Sequence, residues 1–136
     1  MISHLAFQQA ALSCIGTPVV HMGRQPGAAL DCVGLVWAAC RMAGLELAET
    51  PTYSAQVDEA TLTEGLELFC DRETDHARAH VLQVMHGNQA RHVVVTIGAN
   101  ECGQPLIVHA WAKGRVVRRT ILDMRVVAGW RIRGVE

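Results

Sequence analysis

Several things are missing from this chain, and each absence narrows what it can be. No apolar run approaches the length needed to cross a bilayer, although half of the residues are hydrophobic. The N-terminal Met1-Ile2-Ser3-His4 carries no basic segment, and Gln8 and Gln9 interrupt the apolar stretch after it, so no signal peptide is expected and synthesis in the cytoplasm is. Charge of one sign is also missing: the net value is −1, which favours neither a nucleic acid nor a membrane surface as partner. The five cysteines, Cys14, Cys32, Cys40, Cys70 and Cys102, are odd in number and have no close pairing, which argues against a disulfide framework. There is no C-x-x-C pair of the kind structural zinc sites use, so no metal or other cofactor is expected. Without repeats, low-complexity tracts or a linker, residues 1–136 read as a single domain.

What is present divides into two halves of different period. Residues 3–15 place Leu5, Ala6, Leu12 and Ile15 at helical spacing, with Ser3 as N-cap and Gly16 as stop. A second helix is expected from Cys32 to about Ala43, burying Val33, Val36, Trp37 and Cys40, with Gly44 at its end. Asp58 caps a third, in which Leu62, Leu66, Phe69 and Cys70 follow the helical rule; Asp71 to Arg78 reads as loop. Beyond residue 79 the pattern alternates. Strands are expected at 80–85, 92–97, 106–111, 115–119 and 129–133, joined by glycine-bearing turns. Helices followed by an antiparallel meander make an α+β domain, the helices packed on the C-terminal sheet. Ten of the thirteen acids precede residue 76, while Arg115, Arg118, Arg119, Arg125, Arg131 and Arg133 crowd the last quarter, read as solvated outward faces of strands or as a site for anionic groups.

Chemistry is concentrated at Asp31-Cys32-Val33-Gly34. A loop containing Gly23, Pro26 and Gly27 runs into an aspartate N-cap and then a cysteine in the first turn of a helix. Free N–H groups and the helix dipole favour negative charge there, so a lowered thiol pKa is expected at Cys32. A cysteine nucleophile needs a base, and the base needs an orienting partner. If Gly98 pairs with Gly103 across a four-residue loop, His92 lies directly opposite His109 and on the same face. His92 is then the candidate base, His109 its orienter, and the Cys32 N–H a candidate oxyanion donor. A zinc set made of Cys32, His92 and His109 is the metal alternative. His4, His21, His76, His80 and His86 are expected at the surface or in loops.

Four segments in this order resemble the NlpC-type (NlpC/p-sixty) cell-wall cysteine endopeptidases. They are Ile15-Gly16-Thr17-Pro18, Asp31-Cys32-Val33-Gly34-Leu35-Val36, Arg91-His92-Val93-Val94-Val95 and Ile107-Val108-His109-Ala110. The resemblance implies a papain-like fold, catalytic Cys32, His92 and His109, and a substrate-binding Asp31. It also implies hydrolysis of peptidoglycan stem peptides at the γ-D-glutamyl–diamino acid bond. The C-terminal Gly129-Trp130-Arg131-Ile132-Arg133-Gly134 is similar to the versions carried by phage tails and gene-transfer particles, which implies phage-like tail proteins as partners. Val19 and Val33 stand where many members have tyrosine and serine. An inactive structural tail-tip component is therefore one alternative expectation; a delivered antibacterial toxin, with the same chemistry in a different setting, is another.

Overall fold

Three capped helices precede most of the sheet. The computed structural model describes all residues, Met1–Glu136. Helix α1 (His4–Ser13) starts where the Ser3 hydroxyl accepts the Ala6 N–H at 3.0 Å. A short ribbon, β1 (Arg24–Gln25) with β2 (Ala29–Leu30), leads into α2 (Cys32–Met42). Asp31 caps α2, and Gly44 beyond its end has φ 103°, a conformation glycine adopts without strain. Helix α3 (Glu59–Phe69) is capped by Asp58, which accepts the Thr61 N–H at 2.7 Å. Each capping side chain satisfies an N–H group that has no partner within its helix. No helix is long and apolar enough to cross a membrane.

The remaining strands are β3 (Cys70–Glu73), β4 (Val81–His86), β5 (Gln89–Ala99), β6 (Pro105–Ala110), β7 (Val117–Ile121) and β8 (Val126–Ile132). They form one antiparallel sheet in the order β3-β8-β4-β5-β6-β7. The α+β expectation holds, with one change of topology: β4 to β7 form the meander, and β8 returns to insert between β4 and β3. Strand β3 takes Cys70, expected in the third helix, and Asp71 to Glu73, expected as loop. Its Cys-Asp-Arg-Glu sequence has no apolar alternation, because an edge strand needs only a backbone partner, here β8.

The two sheet faces have different contents. Val81, Val93, Val95, Val108, Val117 and Trp130 face the helices and join Phe7, Leu35, Ala39 and Cys40 in the main core. Leu82, Val84, Val94 and Ile107 point the other way, under Leu122, Met124 and Val126. Helix α2 is rotated from its expected setting. Leu35, Ala38 and Ala39 are buried with Trp37 and Cys40, whereas Val33 and Val36 stay partly exposed along a cleft. All five cysteines are free; Cys14, Cys40 and Cys70 are buried and Cys102 is exposed, as expected of small core residues and a loop residue. His80 corrects its expectation. It is wholly buried, its Nδ1 accepting the Ile132 N–H at 2.9 Å and its Nε2 lying 3.0 Å from the Glu136 carbonyl oxygen. Those contacts lie more than fifty residues along the chain and leave no local trace.

The hairpin register also differs from expectation. Val95 faces Val108 and Thr96 faces Ile107, with a bulge before the Ala99–Pro105 pair. This is two residues from the register that Gly98–Gly103 pairing implies, so His92 and His109 are diagonal neighbours and not directly opposed. A two-residue shift preserves the face, which is why the two histidines still meet.

Candidate active site

Helix α2 begins in a crowded corner, and the crowding explains its sequence. The Asp31 carboxylate accepts the N–H groups of Gly34 (2.7 Å) and Met22 (2.8 Å), the Arg24 guanidinium (3.0 Å) and the Tyr53 hydroxyl. Arg24 also donates to Thr50 Oγ1 (2.7 Å) and the Tyr53 oxygen (2.8 Å), tying the connection between α2 and α3 to the helix start. Gly34 is required by this packing. A Cβ there would lie 2.0 Å from the Gly23 carbonyl oxygen and 2.8 Å from Arg24 Nη1.

The same capping leaves two donors beside the thiol. Gly34 N–H is held by the Asp31 side chain and Leu35 N–H by the Asp31 carbonyl. The N–H groups of Cys32 and Val33, with that of Val93 from β5, lie near enough to the Cys32 sulfur to favour its anionic form, without a hydrogen bond to it. Strand β5 is open at this point. Its pairing with β6 stops at Val95–Val108, although β6 continues alongside β7 to Ala110–Val117. The N-terminus of α2 meets β5 where the two strands have parted.

His92 immediately precedes Val93 in the chain. Its Nε2 lies 2.8 Å from His109 Nδ1, and both rings are buried. His86 stands near His92, with ring centres 6.5 Å apart, and Trp111 stacks on His109 at 6.0 Å. Arg118 extends over the Trp111 ring. His109 Nε2 is buried without a protein partner. The structure therefore brings His92 and His109 into direct contact and sets Cys32 against the adjoining residue, with no hydrogen bond between the thiol and either ring.

The Cys32 thiol and the two imidazoles are uncharged at rest. Burial lowers the His92 pKa to about 3, reinforced by His109 and His86. Burial, with Arg118 next, lowers that of His109 to about 4 against the opposing pull of Asp123. The Cys32 thiol is pushed up to about 11, by burial first and then by the Asp31 carboxylate, although three N–H groups oppose the shift. This reverses the expected lowering. Three N–H dipoles do not outweigh desolvation plus an adjacent carboxylate.

Asp31 is placed differently from a substrate ligand. A carboxylate offers about four lone-pair positions, and all four are taken by groups of the chain itself. The zinc alternative finds no geometric support, since no group of three or more His, Cys, Asp or Glu side chains converges to hold an ion. Arg24, Tyr53 and Val93 were not singled out from the sequence. An arginine in the loop before an aspartate N-cap is the only local hint of the first; the other two come from segments remote in the chain.

Beside this corner lies a cleft of about 380 Å³ between α2, α3 and the segment joining them, lined mainly by apolar side chains including Val33, Val36, Trp37, Leu66, Phe69 and Val93. Compared with family models, curated proteins and solved structures, the chain matches none.

Proposed function

We propose that the protein is a cysteine hydrolase that cleaves an acyl bond by attack of Cys32, with His92 as base and acid and His109 as its orienter. The observation that carries this reading is the buried His92–His109 contact one residue from the backbone group that lies near the Cys32 sulfur.

The proton accounting follows from the tautomers. For His92 Nδ1 to accept a proton, its Nε2–H must donate to His109 Nδ1, which places the His109 hydrogen on Nε2. Because both rings rest neutral and the thiol rests protonated, attack and proton transfer to His92 occur together. A carbon–sulfur bond forms and the carbonyl oxygen gains charge, met by the N–H groups at the start of α2. His92 then gives its proton to the leaving amine as the carbon–nitrogen bond breaks. Water attacks the thioester with His92 again taking the proton, and the acid product leaves a restored thiol.

The substrate we propose, from the sequence resemblance, is the peptidoglycan stem peptide at its γ-D-glutamyl–diamino acid bond, with the protein working as part of a phage-like tail. Digestion of purified muropeptides, read by mass spectrometry, tests this. Wild type should release the predicted fragments and Cys32→Ala should release none; fragments from Cys32→Ala, or none from wild type, would reject the assignment. The saturated Asp31 carboxylate, the raised thiol pKa and Val33 favour a second reading, a structural tail component without activity.

A further inference from the structure

We propose that the cleft between α2 and α3 is the acyl-side pocket of the Cys32 site and admits aliphatic acyl amides and esters as a further substrate class. This rests on Cys32 as nucleophile and goes beyond the stem-peptide reading.

The first support is directional. Successive residues of a strand point to opposite faces. His92 faces the side that carries His86 and His109, whereas Val93 belongs to the helix-side core and lines the cleft. Cys32 packs with Val33 against this helix-side core, and the Val93 N–H lies near its sulfur. The leaving group must lie toward His92, which protonates it, so the acyl group extends to the other side. That side is the cleft, and it begins with Val93 and Val33, the residues adjoining His92 and Cys32.

The second support is chemical. The volume of 380 Å³ is within the range of small-molecule pockets, roughly 300–1,000 Å³. Glu64 is the single charged residue of the lining, and Thr50, Thr52, Thr61 and Tyr53 add hydroxyl groups. The lining has no cationic group to match an anionic ligand, whereas an aliphatic chain loses water on entering. Tyr53 also bonds Asp31, so the cleft wall is fastened to the cap of the nucleophile's own helix.

The third support is Gly65. It is inside α3 and lines the cleft, yet a Cβ there would meet no atom within 4 Å, and its backbone is ordinary helix. Glycine weakens a helix interior relative to alanine. Here neither packing nor backbone conformation requires it, and its effect is to keep the cleft open.

The same bonds form and break as with a stem peptide. Cys32 sulfur bonds the acyl carbon, the amine or alcohol departs with the proton held by His92, and water releases the carboxylic acid. The test uses p-nitrophenyl acetate, butyrate and octanoate with the full chain, locating the acyl group by peptide mapping. Acylation of Cys32 should quicken about threefold to fourfold per added methylene until the cleft is filled, and Gly65→Leu should lower the octanoyl-to-acetyl ratio. Gly65→Ala, a smaller change, should lower it less. Octanamide titrated into Cys32→Ala should give a saturable calorimetric signal. Cys32 adducts formed at equal rates for all three esters, or no octanamide binding, would overturn the pocket while leaving the nucleophile intact. Octanamide binding without an adduct at Cys32 from any ester would remove the nucleophile, and the proposed activity with it.

Discussion

Two polar groups of residues, one half-buried and one buried, flank the start of α2, and they are built differently. Asp31, Arg24, Tyr53 and Thr50 form an ionic cluster in which each carboxylate oxygen accepts two bonds. His92 and His109 form a neutral pair joined by one bond, which leaves the second nitrogen of each ring, His92 Nδ1 and His109 Nε2, outside it. A saturated ionic cluster fixes position, because removing one member strands a charge or a donor in a poorly solvated place. A neutral pair with free nitrogen capacity contributes less rigidity and can still take up a proton. In the function proposed above, the first group supplies stability and the second proton transfer.

Cys32→Ala should cause the largest change, complete loss of hydrolysis with an unaltered circular dichroism spectrum. His92→Gln should lower the rate by about 10²–10⁴, the usual contribution of a positioned acid–base group. Next come changes on the ionic side. Gly34→Ala should cost ~1–3 kcal/mol by forcing the Gly23 carbonyl away from α2. Asp31→Ala should cost ~2–4 kcal/mol, since it removes a cap and leaves Arg24 unpaired. Urea unfolding measures both. If Asp31→Ala kept full stability, the distinction between the two groups would fail. His109→Gln sharpens the distinction from the other side: hydrolysis should fall while the unfolding midpoint moves little.

A smaller effect is the acid limb of stability. His80, His92 and His109 have folded pKa values lowered by burial to about 4, about 3 and about 4. The unfolded chain therefore binds more protons below pH ~6.5, and stability rises with pH in that window. It should be fully present above ~6.5 and decline progressively toward pH 4. Thermal melts across that range check this; a melting temperature indifferent to pH would mean the rings are not buried neutral.

Much of the fold was legible because it is specified locally. Ser3, Asp31 and Asp58 mark helix starts through their own side-chain bonds, and a continuous β-branched run marks β5. Strand β3 and the burial of His80 depend on partners near the opposite end of the chain. At the site, His92 and His109 were recognisable together because strand periodicity survives a two-residue change of register. The electrostatics were less legible. The helix start was visible in the sequence, whereas the packing around Cys32 that overrides its dipole was not.

The central claim is that Cys32 and His92 work from a neutral thiol and a neutral imidazole. The rate of Cys32 acylation by p-nitrophenyl acetate, followed against pH, tests it most directly. With the imidazole at about 3 and the thiol at about 11, the rate should be flat between about pH 5 and about pH 9 and fall in acid. The plateau should be lost in His92→Gln. A limb near neutrality, or a plateau that survives His92→Gln, would contradict the account.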